Sequence, residues 1–284
     1  MRIITTISEL TTEIKALKKD GCSIGLVPTM GFLHEGHTSL IKRAVSENDK
    51  VVVSIFVNPI QFGPNEDFES YPRDLIKDSA LCESNSVSLI FAPSVSQMYC
   101  KDASTFVDVA NISEPLCGRK RPGHFRGVCT VVAKLLNLTK ADKVYFGEKD
   151  AQQLAVVRRM VRDLNFDVQV VGCPIVREAD GLAKSSRNTY LNEKERAAAL
   201  VLSKSLFHAR DYISSLEGKH AKAKNIVDMI TAEIMREPLA RIDYVEAVNS
   251  ENLREADELT GGILIALAVF IGKTRLIDNI TLNI

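Results

Sequence analysis

The feature that most restricts how this chain can fold is an alternation. Between residues 23 and 171, short β-rich runs take turns with amphipathic helical patterns. Residues 51–57 are apolar except for Ser54, as expected for a strand covered on both faces. Further strands are expected over 23–27, 88–91, 143–146 and 168–171. Helices are expected over 36–47 (Leu40, Ile41, Ala44 and Val45 on one face), 73–83 and 125–138, and from a cap at Asp150 to about Leu164. Alternating βα units imply a parallel sheet with helices on both sides, and such sheets bind ligands at the carboxyl ends of their strands. The pattern changes after about Pro174. Helices are expected over 192–215 and 221–235, and strands over 243–248, 264–270 and 275–281. The expected fold class is α/β, with a parallel-sheet domain over residues 1–174 and a smaller α+β domain over 175–284.

Composition removes several function classes. Lys plus Arg and Asp plus Glu both total 36 in 284 residues, and this zero net charge disfavours a nucleic-acid binder. The six cysteines are scattered, without a C-x-x-C pair, which argues against a zinc knuckle or a disulfide scaffold. Buried reduced thiols are expected. The first residues lack the apolar core of a signal peptide, and the apolar run 262–271 is too short to cross a bilayer. No membrane partner and a cytoplasmic location are expected.

The unusual motifs all follow an expected strand. Pro28-Thr29-Met30-Gly31-Phe32-Leu33-His34-Glu35-Gly36-His37 is a strand-to-helix turn with glycines. Backbone N–H groups at a helix start favour phosphate. His34 and His37 are three residues apart, so their imidazoles could share one side of the first turn and donate to phosphate oxygens. A zinc site fits less well, because H-E-x-x-H spacing and a third ligand are lacking. Asn58-Pro59-Ile60-Gln61 leads on to Tyr71, and its amides suit hydroxyl and carboxylate groups. Arg119-Lys120-Arg121 precedes a helix and is an anion site or a solvated charge cluster. Gly147-Glu148-Lys149-Asp150 is a second strand–glycine–helix junction, where Lys149 could meet phosphate and Asp150 a ribose, with Gln153 one turn further on. Lys184-Ser185-Ser186-Arg187 is a compact set of donors after Gly181, of the kind that closes over triphosphates. The G-x-x-x-x-G-K-[ST], G-x-G-x-x-G and G-x-S-x-G patterns are absent, and no nucleophile stands out.

Together, in this order and spacing, the five segments and Arg275-Leu276-Ile277-Asp278-Asn279 resemble the pantoate–β-alanine ligase family over almost the whole chain. The resemblance implies a Rossmann-like nucleotidylyltransferase domain, a small C-terminal domain and a homodimer. It implies that ATP and pantoate form pantoyl adenylate and pyrophosphate, and that β-alanine then yields pantothenate and AMP, with Mg²⁺ accompanying ATP. By the same resemblance Met30, Gly31, Phe32, Leu33, His34, Glu35, Gly36 and His37 bind ATP, His37 being matched to a proton donor. So do Gly147, Glu148, Lys149, Asp150, Val176, Lys184, Ser185, Ser186 and Arg187. His34, His37, Lys149 and Arg187 are the implied catalytic set. Gln61 contacts pantoate and β-alanine, Gln153 contacts pantoate, Asn58, Tyr71 and Arg121 are substrate-side, and Asp78 helps hold the Mg²⁺ shell. Lys184 departs from the Met or Leu common there, and Cys117 from a common acidic residue. Two other readings compete: a nucleotidylyltransferase that keeps its nucleotidyl product, and a non-catalytic nucleotide sensor.

Overall fold

In the computed structural model, which describes residues 1–64, 66–216 and 222–284, the chain opens with β1 (Arg2–Ile4) and α1 (Ile7–Lys19). The alternation continues with β2 (Ile24–Thr29), α2 (Glu35–Glu47), β3 (Lys50–Ile55), α3 (Leu75–Ser84) and β4 (Leu89–Phe91). Short helices α4 (Val95–Met98) and α5 (Cys117–Lys120) precede α6 (His124–Thr139), β5 (Lys143–Gly147), α7 (Ala151–Asp163) and β6 (Gln169–Cys173). Then come α8 (Glu193–Ala198), α9 (Leu200–Ser215), α10 (Ala223–Ile234), β7 (Ala240–Asn249), β8 (Gly262–Ile271) and β9 (Thr274–Asn283).

The chain divides into two compact units. One comprises Met1–Ala110, Arg121–Glu148 and Val156–Pro174, the other Asn111–Lys120, Lys149–Ala155 and Ile175–Ile284. The first holds a six-stranded parallel sheet of order β1-β4-β3-β2-β5-β6. The chain winds from β2 through β3 to β4, then returns past β2 to β5, so the direction of winding reverses beside β2 and β5. Their carboxyl ends mark the place where such sheets bind ligands. Helix α2 is set by burial. Leu40, Ile41 and Ala44 are buried, each large side chain contributing about 1.5–3 kcal/mol, well above a helix-propensity difference of a few tenths. That burial fixes where the histidine turn at its start must sit.

The second unit holds an antiparallel sheet of order β7-β8-β9 with α9 and α10, whose Leu202, Leu206, Ile226, Ile230 and Ile234 share a core with Ile265, Leu267 and Val269 of β8. Parallel α/β and smaller α+β architectures are thus both present, as expected. β1 and α1 were not anticipated. β1 is only three residues long, but α1 carries a readable start, Thr6 accepting from the Glu9 N–H at 3.3 Å. The helix expected over 192–215 is two helices that meet at Ala199. The expected start at Ala221 lies outside the described residues, and α10 begins at Ala223. Among the described residues no helix is long and apolar enough to cross a membrane.

Candidate active site

β2 ends at Thr29, whose hydroxyl donates to the Ser54 carbonyl at 2.7 Å and accepts from the Gly31 N–H at 3.1 Å. The next two residues are left-handed, Gly31 at φ 82° and Phe32 at φ 51°. A Cβ on Gly31 would stand 2.9 Å from Asp78 Oδ2 and 3.0 Å from Ile55 Cγ2, so both dihedral and space require glycine. Phe32 has no such licence. Its conformation is held by Asp78, which reaches up from α3 and accepts from the Phe32 N–H at 2.8 Å and the Leu33 N–H at 2.7 Å. Successive N–H groups in a left-handed turn make an anion cradle, and here the protein's own carboxylate fills it. Asp78 is 1% exposed, and burial pushes its carboxyl above the usual range against the pull of those two bonds. With one backbone N–H on each oxygen, Asp78 fastens the turn to α3. Among the described residues, no group of three His, Cys, Asp or Glu side chains is placed to hold a metal ion.

The two histidines begin α2. His34 is the N-cap, its Nδ1 accepting from the Gly36 N–H at 3.1 Å, and His37 Nδ1 accepts from the His34 N–H at 3.3 Å. The result is a capping box built from imidazoles, the ring centroids 4.2 Å apart. A backbone N–H can only donate, so both Nδ1 atoms are unprotonated and both rings carry their proton on Nε2. The backbone donors of Gly31, His34 and Gly36 are committed inside the turn, and those of Phe32 and Leu33 to Asp78 of α3. Both imidazoles therefore carry their N–H at Nε2, the donor type that suits an anion.

The Asn58–Gln61 loop follows β3 as a 3-10 turn, with Asn58 1% and Gln61 9% exposed. Helix α6 presses on it so closely that a Cβ on Gly127 would lie 2.5 Å from the Ile60 oxygen and 2.7 Å from Gln61 Cα. His124 pins the Gln61 carbonyl through Nδ1 at 2.8 Å, so its Nε2 is the acceptor for Arg121 Nη1 at 3.0 Å. Arg121 also grips Glu66 bidentately, Nε to Oε1 at 2.6 Å and Nη2 to Oε2 at 2.5 Å. Burial pushes the Glu66 carboxyl up, but the guanidinium more than offsets this and leaves it below its ordinary range. Arg121, read as a substrate-side cation, is thus bound into the scaffold of Gln61. Tyr71 is buried, with its ring edge toward Phe62 at 6.2 Å.

A 3-10 turn over Glu148–Asp150 leads straight into α7, so Asp150 stands immediately before the helix. Lys149 Nζ is 3.3 Å from Asp150 Oδ2, and the Lys149 carbonyl accepts from Asn279 Nδ2 at 2.9 Å. Arg177 binds Asp278 bidentately at 2.7 and 2.9 Å and the Gly181 carbonyl at 3.0 Å. An Arg177–Ala183 bridge and a 2.9 Å bond from the Lys184 N–H to the Val176 carbonyl close this segment into a hairpin. Leu182 and Ala183 are buried, so the segment is anchored immediately before the donors. Ser185 then caps a 3-10 turn over Ser186–Tyr190 by accepting from the Arg187 N–H at 3.3 Å, and Ser186 is buried. Lys184, Arg187, Gln153 and Val176 are half-buried. Gln152, which sequence reading passed over, holds the 112–117 segment: it accepts from the Cys117 N–H at 2.9 Å and donates to the Pro115 carbonyl at 2.7 Å. Cys117 Sγ lies 3.3 Å from the Tyr244 hydroxyl.

These features define a doubly wound α/β enzyme with an imidazole capping box at the reversal of its sheet. The sequence profile described as Pantoate-beta-alanine ligase matches residues 2–281, and the chain belongs to that family. A pantothenate synthetase of Clostridium acetobutylicum is 58% identical over 284 residues, all of both chains, and one of Clostridium botulinum is 56% identical over the same span. The crystal structure of pantothenate synthetase from Thermus thermophilus is 44% identical, with a TM-score of 0.93 and 99% of each chain covered. A pantoate–β-alanine ligase from Francisella tularensis, solved with a β,γ-ATP compound and β-alanine, is 36% identical, with a TM-score of 0.81, covering 99% of this chain and 97% of that one. The chain is a ligase that joins pantoate to β-alanine.

Proposed function

We propose that the reaction runs through ATP and a bound pantoyl adenylate, releasing pyrophosphate and then AMP. The observation that carries this reading is the imidazole capping box, which holds two Nε2–H donors at the carboxyl end of β2. A carboxylate is a poor acyl donor because oxide is a poor leaving group. Adenylation turns that oxygen into part of a phosphate leaving group. Attack of the pantoate carboxylate on the α-phosphate builds charge on phosphate oxygens, and preorganised donors stabilise such charge.

In the first unit, Met30 to His37 and Gly147–Glu148 take ATP, with His34 and His37 as charge-stabilising donors. Because Nδ1 of His37 is committed to the backbone, the proton it offers is the one on Nε2. Gln61 contacts pantoate and β-alanine, and Asn58, Tyr71 and Arg121 shape its surroundings. Asp78 positions the turn. In the second unit, Lys149, Asp150, Val176, Lys184, Ser185, Ser186 and Arg187 contact ATP, with Lys149 and Arg187 acting on phosphate, and Gln153 contacts pantoate. Mg²⁺ would accompany the ATP phosphates, with Asp78 helping to hold its shell. The domain limits 1–174 and 175–284, a homodimer and a cytoplasmic location belong to the same reading; light scattering of the purified protein tests the dimer.

The reaction is tested by following nucleotide products with pantoate and β-alanine supplied separately and together. Pyrophosphate should form once pantoate is present, and AMP and pantothenate only when β-alanine is supplied as well. ADP as the product, or turnover without pantoate, overturns the scheme.

A further inference from the structure

Gln61 is a symmetric-looking amide, and which end meets substrate decides what it can recognise. The surrounding hydrogen bonds settle the orientation. Asn58 lies 3.1 Å from the Gly127 carbonyl, which can only accept, so the Asn58 atom there is Nδ2. The second hydrogen of that nitrogen goes to Gln61 at 3.0 Å, which makes the receiving atom Oε1. The remaining Asn58 oxygen accepts from the Tyr99 hydroxyl at 2.8 Å. Gln61 Nε2 is thereby turned the other way, 3.2 Å from the weak acceptor Met30 Sδ, with a second hydrogen still to give. Reversing the Gln61 amide would set two N–H donors against each other in a pocket where Asn58 is 1% exposed.

We infer that Tyr99 is a positioning residue for substrate recognition. The Gly127 carbonyl selects the orientation of Asn58 and Tyr99 holds it there, so Gln61 is presented as an N–H donor and this position takes an oxygen of pantoate, carboxylate or hydroxyl, and not the ammonium of β-alanine. The inference rests on the assignment of Gln61 to the acid substrate. Nothing in the spacing of the sequence points to Tyr99. It follows the short helix α4, its ring is 6.2 Å from Phe56, and the contact arises only where β4 and β3 lie side by side.

Steady-state kinetics on the full-length enzyme test it. Tyr99→Phe, which removes only the hydroxyl, should raise the KM for pantoate about tenfold while the KM for ATP stays within about twofold. In a Gln61→Ala background the same change should add less than about twofold, because the oriented group is gone. A Tyr99→Phe enzyme with unchanged pantoate KM, or an equal fold-change in both backgrounds, overturns the relay. Gln61→Glu keeps the shape but can only accept. It should weaken pantoate binding at least as much as Gln61→Ala, and a smaller effect overturns the donor polarity even if Tyr99→Phe folds poorly. If Gln61→Ala itself leaves the pantoate KM unchanged, it is the substrate assignment that fails, and the relay falls with it.

Discussion

At the scale of single residues, function depends on atoms that the protein has already committed. The two imidazoles cap α2 through Nδ1, so their chemistry is confined to Nε2. Replacing His37 by Ala should therefore slow adenylate formation by about 10²-fold or more, the usual consequence of losing one such donor. Rapid-quench measurement of a single turnover checks this, and a near-unchanged rate would remove His37 from the charge-stabilising set. Asp78→Asn keeps the shape of its side chain but places an NH₂ against one of two backbone N–H groups. We expect a loss of about 1–3 kcal/mol of stability and a lower kcat, since Phe32 would no longer be held at its positive φ. Calorimetry and kinetics on the same preparation distinguish the two effects. The histidine pair was legible from its spacing and the glycines around it. The carboxylate that sets the turn was singled out for the Mg²⁺ shell, and its hold on the backbone was not foreseen. Its backbone partners are more than forty residues away in sequence, and spacing does not reveal which of a carboxylate's neighbours will be N–H groups.

At the scale of elements, the joints between secondary structures carry the precision. Glu47, at the end of α2, accepts from Arg43 at 3.0 Å, from Lys143 at 3.1 Å and from the Tyr145 hydroxyl at 3.0 Å, which ties the helix to β5. Arg43 first, then Lys143 and Tyr145, draw its carboxyl from 4.5 down to about 2. A depressed carboxyl stabilises the fold fully above its unfolded value and loses that contribution as pH falls through the folded one. The stability difference between wild type and Glu47→Gln should thus be complete above about pH 5 and fade towards pH 2. Urea midpoints across that range measure it, and a difference that does not change with pH would refute the assignment. Gly127 illustrates the other kind of joint. Gly127→Ala drives a methyl into the Ile60 carbonyl and the Gln61 backbone, with α6 unable to retreat. It should destabilise by about 1–3 kcal/mol and raise the pantoate KM, as overpacking does. A lone glycine inside a helical pattern is a visible signal of close backbone approach, and it was available in the sequence; what it approaches was not.

At the scale of the whole molecule, the C-terminal strands secure segments distant in sequence. Asp278, its side chain 1% exposed, takes both guanidinium nitrogens of Arg177, while Asn279 holds the Lys149 carbonyl. Removing one partner of a buried ion pair strands the other, so Asp278→Ala should cost about 3–5 kcal/mol. Differential scanning calorimetry should show a correspondingly lowered transition, and an unaltered one would mean that Arg177 is already well solvated.

The sequence alone determined the α/β order, because a period of two or of 3.6 in apolar residues is local and survives without any partner. It also placed the histidine, Asn58–Gln61 and Gly147–Asp150 motifs directly after strands, although Arg121 follows α5, and carried the resemblance to the ligase family. Only the tertiary structure decided the order of the six strands, the extra edge strand at the N-terminus, the break at Ala199 and the division into units that does not follow a single cut in the chain. It alone decided which nitrogen of each imidazole is spent and which way Gln61 faces. Those outcomes depend on hydrogen bonds between residues brought together by packing, and a donor or acceptor in a sequence has no direction until its partner is in place.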